Sequence, residues 1–264
     1  MILIKKNPLR FVIICSLLLF FHSCASRPVK STSYEIVGSS STTHLPPSVK
    51  TPIIRHDIFH TVAPGETLWR ISKMYDVEIC DILTANKLKS ETRINMGQRL
   101  LIPDAAPLKP IIPLYKSQKW QYIIIHHSAT DVGNALTFYD MHLRRGFWNG
   151  LGYHFVIDNG TFGKEVGQIE ISPRWIKQQN GAHCKASNMN YKGIGICLVG
   201  NYSKDMVSSK QMDSLIYLVR ILKKYYNIPY KNIMGHGQVP GAATECPGLR
   251  FPWSQFWRKL RSKE

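Results

Sequence analysis

The chain has 264 residues, of which 44% are hydrophobic, so it can bury one domain of ordinary size and a smaller one; a wholly disordered chain is excluded. Its 34 Lys and Arg against 17 Asp and Glu give a formal net charge of +17, which favours an anionic partner. No nucleic-acid-binding motif accompanies that charge, and the one basic-aromatic run is confined to Trp253–Arg261, so nucleic acid is not the expected partner.

Residues 1–23 place Lys5, Lys6 and Arg10 ahead of the apolar run Phe11–Phe21, which is too short to span a bilayer and has the layout of an export signal. Its removal would lower the net charge only from +17 to +14, and outside the cytoplasm the anionic candidates are cell-wall polymers and membrane surfaces. Ser23-Cys24 resembles the acylation point of a bacterial lipoprotein, with Phe21 and His22 departing from its usual residues. A lipid anchor through Cys24 and ordinary secretion are therefore both carried forward, and the expected location is the bacterial envelope. Residues 24–57, rich in Ser, Thr and Pro, read as a flexible tether.

The pattern changes over residues 58–104. Pro64-Gly65 makes a turn, Thr67 can cap a helix with Leu68, Ile71 and Tyr75 on one face, and Val77–Leu88 supplies a second helix with Ile79, Ile82 and Leu83 inward. A strand before and Arg99–Ile102 after complete a βααβ unit. His60-Thr61-Val62-Ala63-Pro64-Gly65-Glu66-Thr67-Leu68-Trp69 and Ile94-Asn95-Met96-Gly97-Gln98 resemble a LysM module. The resemblance implies binding of N-acetylglucosamine-containing glycan between two loops, with Ala63, Gly65, Thr67, Asn95 and Gly97 as contacts. Residues 105–117, rich in proline, read as a stiff spacer.

From residue 118 to 264 strands alternate with helices. Tyr122–Ile125 reads as a strand covered on both faces, Asn134–Arg145 as a helix, and Tyr153–Ile157 with Thr161–Glu165 as a hairpin about Asp158-Asn159-Gly160. Gly193–Val199 is a central strand. Ser208 and Gln211 open a long helix, Asn232–Gly235 is a short strand, and Trp253–Leu260 is a closing amphipathic helix. The expected class is α/β, with a mixed central sheet flanked by helices.

The chemistry-bearing stretch is Gly235-His236-Gly237-Gln238-Val239-Pro240-Gly241-Ala242-Ala243-Thr244-Glu245-Cys246. A histidine and a cysteine on one glycine- and proline-rich loop can fold back onto one metal ion. His126, at the end of a distant strand, would complete three ligands, and three leave a fourth position open, the mark of a catalytic zinc site. His126-His127-Ser128-Ala129-Thr130, Trp148-Asn149-Gly150-Leu151-Gly152-Tyr153-His154-Phe155, Gly181-Ala182-His183 and Thr244-Glu245-Cys246-Pro247-Gly248 resemble, in order, the zinc amidases typified by phage amidase-lysozymes and animal peptidoglycan recognition proteins. That resemblance runs from Lys119 to Arg250. It implies zinc held by His126, His236 and Cys246, catalytic roles for Tyr153 and Thr244, substrate contacts at His127 and His183, and hydrolysis of the bond between N-acetylmuramic acid and L-alanine by a monomer acting on peptidoglycan. A non-catalytic peptidoglycan receptor is the alternative. The loop from His236 to Cys246 is longer than the family's form, and its middle is expected to bulge outward. Glu165 is a weaker acid/base candidate than Tyr153, and a bond between Cys184 and Cys197 is left open.

Overall fold

The computed structural model describes residues 52–262. The expected export segment, Cys24 and nearly all of the tether lie outside the described residues. No described helix is long and apolar enough to cross a membrane.

In chain order the elements are β1 (His56–Thr61), α1 (Leu68–Tyr75), α2 (Ile79–Ala85), β2 (Arg99–Ala105), β3 (Tyr122–His127), α3 (Ala135–Arg144), β4 (Phe155–Asn159), β5 (Val166–Ile171), α4 (Pro173–Ile176), α5 (Met189–Lys192), β6 (Gly193–Leu198), α6 (Ser209–Tyr225), β7 (Ile233–Gly235) and α7 (Trp253–Arg261). The first four form the βααβ unit, with β1 antiparallel to β2. Thr67 accepts from Arg70 N as the N-cap of α1, and Leu68, Ile71, Met74 and Tyr75 pack with Ile82, Leu100 and Ile102 into its core.

The remaining strands form a five-stranded sheet in the order β5-β4-β6-β3-β7, parallel except for β5 at one edge. This is the mixed α/β sheet expected from the alternation of strand and helix. Side chains alternate across it. Ile123, Ile125, Phe155, Ile157, Ile194 and Ile196 point to the face covered by α6, where Leu215, Leu218, Val219 and Leu222 complete a dry core. Ile124, Val156, His126 and Cys197 belong to the other parity, and the chemistry-bearing residues lie on that face.

Two local expectations are corrected. The second strand of the hairpin is Val166–Ile171 rather than Thr161–Glu165. Asn159 Oδ1 accepts from Thr161 N, Thr161 Oγ1 accepts from Gly133 N, and Lys164 turns inward onto Glu170, so local and tertiary partners take residues 161–164 out of strand pairing. The proline-rich stretch after β2, expected to be a stiff spacer, is packed against both modules. Ala106 N donates to Tyr75 O and Lys109 N to Met74 O on one side, while Trp175 Nε1 donates to Pro113 O on the other.

Candidate metal centre

The sheet order explains how residues 110 positions apart meet. β3 and β7 are parallel neighbours with Ile125 opposite Gly235, so the next residue of each, His126 and His236, emerges at the same end of the sheet. Parallel sheets bind ligands at these carboxyl ends. The two imidazoles lie 4.7 Å apart, centroid to centroid. Gly237 N donates to Cys246 O over 2.6 Å, which closes the loop and brings Cys246 back to the strands. Only glycine fits at that closure, because a Cβ on Gly237 would stand 2.3 Å from Thr244 O. The middle of the loop reaches the surface, where Pro240, Gly241 and Ala243 are exposed.

Among the described residues, one donor atom from each of His126, His236 and Cys246 lies within 4.8 Å of the others. Atoms bound at zinc distances in a tetrahedron stand roughly 3.3–3.8 Å apart, and Cys246 Sγ is 3.6 Å from His126 Nδ1. Two imidazoles and a thiol are also the donor types that zinc prefers, so the residues fit the ion that the sequence pointed to. Burial, then His183 and His236, hold the pKa of His126 well below the usual histidine value, and burial lowers that of His236. Both rings are therefore neutral and offer lone pairs. Burial pushes the Cys246 thiol up to about 12, so its proton must leave as a metal binds.

His183 is buried behind His126, with His126 Nε2 and His183 Nδ1 3.0 Å apart and His183 Nε2 3.2 Å from Gly193 O. A carbonyl only accepts, so His183 carries its proton on Nε2. Its Nδ1 then accepts from His126 Nε2, and the lone pair of His126 is left on Nδ1, the atom beside Cys246. His183 thus stands next to the donor set rather than at the surface. Gly195 gives it room, since a Cβ there would lie 2.4 Å from His183 Cδ2. Asn190 Oδ1, unremarked in the sequence, accepts from the backbone N of both His183 and Cys184 and fixes this turn.

The Tyr153 ring is 5.2 Å from that of His126. Burial, then Cys197 and Cys246, push its phenol well above the ordinary value, so it remains a hydrogen-bond donor. Thr244 is exposed, and its Oγ1 accepts from Cys246 N. His127 turns the other way, its Nδ1 accepting from Tyr202 N. His154 is fully buried and structural, accepting from Gly195 N. Glu165 lines a cavity of about 360 Å³ with Met74, Lys109 and Ser214, apart from the donor set. Cys184 and Cys197 are both thiols, so the bond left open between them is not made.

In the βααβ unit, Gly65, Thr67, Asn95 and Gly97 are exposed and Ala63 is buried. Gly65 and Gly97 have φ of +77° and +81°, where glycine is favoured. Gly97 N donates to Val62 O and so joins the two loops.

The profile of the N-acetylmuramoyl-L-alanine amidase family matches residues 116–249. The chain belongs to that family. Residues 60–103 match the LysM domain. Peptidoglycan-recognition protein 2 of Holotrichia diomphalia is 32% identical over 155 residues, which cover 54% of this chain and 76% of that protein. Peptidoglycan-recognition protein LB of Drosophila melanogaster is 33% identical over 143 residues, 49% of this chain and 55% of its own length. The solved N-acetylmuramoyl-L-alanine amidase LysC from Clostridium intestinale URNW shares 33% identity, covers 56% of this chain and 90% of its own, and superposes with a TM-score of 0.45.

Proposed function

We propose that this member of the amidase family is a zinc-dependent N-acetylmuramoyl-L-alanine amidase of the bacterial envelope, directed to peptidoglycan by its LysM module. The observation that carries this reading is the convergence of His126, His236 and Cys246 within 4.8 Å. When bound there, zinc supplies Lewis acidity toward water and an amide carbonyl. Hydrolysis adds water to the carbonyl carbon, breaks the C–N bond and releases the amine with a proton.

The chain's own residues meet the other demands. Tyr153 keeps its phenolic proton and can donate to the carbonyl oxygen as charge develops there. Thr244 Oγ1, which already accepts from Cys246 N, has its own hydroxyl proton for the same oxygen. His183 keeps the Nδ1 lone pair of His126 turned toward Cys246. The exposed LysM loops bearing Gly65, Thr67, Asn95 and Gly97 bind the glycan.

Treatment of purified sacculi with the mature protein tests the reading. Release of stem peptides with new L-alanine amino termini, blocked by chelator and by Cys246→Ala, is the expected result. Binding without release would establish instead a recognition protein, which the intact donor set disfavours.

A further inference from the structure

The two modules are joined by more than chain connectivity. Glu66 is held by His60 Nε2 at 2.7 Å and Arg70 Nη1 at 2.7 Å, and Arg70 then reaches out of the module to Ile169 O at 3.2 Å and Ile111 O at 3.3 Å. From the other side Lys164 pairs with Glu170 at 2.8 Å and donates to Thr61 O at 3.0 Å. Arg70 and Lys164 are each only 6% exposed. Long basic side chains are rarely buried so deeply unless paired, and here each spends a hydrogen bond on the opposite module.

The same seam passes the proposed glycan loops. A side chain on Gly65 would meet Pro173 Cγ at 3.3 Å, and one on Gly97 would meet Leu136 Cδ2 at 3.6 Å. Yet Gly65, Thr67, Asn95 and Gly97 keep their exposure, so the catalytic domain walls the loops without capping them. Leu136 lies in the first turn of α3, and six residues on, roughly 9 Å along the axis, His142 Nδ1 accepts from Gly152 N beside Tyr153. Pro173 opens α4, and the next residue, Arg174, donates to Leu151 O and Asn180 O. The elements that meet the LysM loops are therefore the ones that brace the catalytic segment 151–153.

We infer that the LysM module is a fixed extension of the catalytic cleft, and that one glycan strand is bound jointly by Gly65, Thr67, Asn95 and Gly97 and by the wall around Leu136 and Pro173. This rests on the amidase and glycan-binding reading above. It replaces a binder set apart by a stiff spacer with subsites in set register to the donor atoms.

The test compares wild type with Leu136→Lys, which alters only the wall, and with Lys164→Met, which cuts the seam. Release is measured on long uncleaved glycan strands and on a single disaccharide-peptide. The expected result is a KM for the long strands raised at least fivefold in both variants, with kcat and the rate on the disaccharide-peptide unchanged. Equal loss on both substrates, or no loss in folded Leu136→Lys, overturns the inference. A wild-type chain that cleaves neither substrate overturns the amidase reading instead. The joint surface is then decided by retention on insoluble peptidoglycan: weaker retention of Leu136→Lys supports it, and unchanged retention overturns it.

Discussion

The candidate metal centre and the seam between modules are both buried and polar, but they solve opposite electrostatic problems. Around His126 burial favours neutral forms: imidazoles kept unprotonated and a thiol pushed up to about 12, with one donor atom of each within 4.8 Å of the others. Around Glu66 burial also opposes charge, but His60, Arg70 and Lys164 overcome it and hold the carboxyl down at about 2. One region gathers neutral donors of the kind a metal takes, and the other pairs opposite charges with each other. Such a difference separates a candidate coordinating site from a joint that holds two parts together.

The contrast breaks first at Cys246. Cys246→Ala should cost more than about a thousandfold in amide hydrolysis, corresponding to ~4 kcal/mol or more of Lewis-acid stabilisation. Its urea midpoint should stay within the range of an ordinary core substitution. A large loss of stability with retained activity would make Cys246 a joint residue and erase the distinction. Arg70→Met should do the reverse, leaving Glu66 short of a partner and lowering unfolding free energy by about 3 kcal/mol in chemical denaturation. Zinc affinity of the folded variant should be unchanged.

A smaller effect is expected at His183, which touches the donor set without belonging to it. His183→Ala frees the ring of His126 to take the other tautomer, and zinc affinity measured by competition with a chelating dye should fall about 10- to 100-fold. The stoichiometry should remain one ion per chain. Loss of binding altogether would place His183 among the ligands.

How far the sequence foretold these regions follows the same division. Ligands at strand ends and on a glycine-rich loop carry a local signature, as do β3 with its unbroken apolar run and α6 with its capping serine and 3.6-residue period. Arg70 and Lys164 carry none. In sequence they look like any surface base, and only the meeting of two modules buries them. Lys164 even sits in a stretch whose composition reads as strand, because nothing local reports that Glu170 and Thr61 O will claim its ammonium. His183 was visible as part of a motif, but its position behind His126 depends on the closeness of Gly195, which no short window displays. A glycine inside an apolar strand was the available hint.

The finest comparison lies within the second region itself, between Glu66, whose carboxyl is held well below the ordinary value, and Asp158, whose carboxyl is pushed well above it. Asp158 is fully buried on β4, and neither of its oxygens has a protein donor. Burial, and next the carboxylate of Glu170, push its pKa well above the ordinary value against the pull of Lys164. A carboxyl raised on folding stabilises the native state fully below its unfolded pKa near 3.8, and that contribution is lost as pH rises toward the folded pKa. Asp158→Asn keeps the shape but does not titrate. The variant should therefore match wild type near pH 4 and gain on it by about 1.4 kcal/mol for each pH unit above, until the folded pKa is passed. Denaturant midpoints between pH 4 and 8 read this directly. A difference that stays flat with pH would mean that Asp158 is ionised in the native protein, with Lys164 shared between two carboxylates.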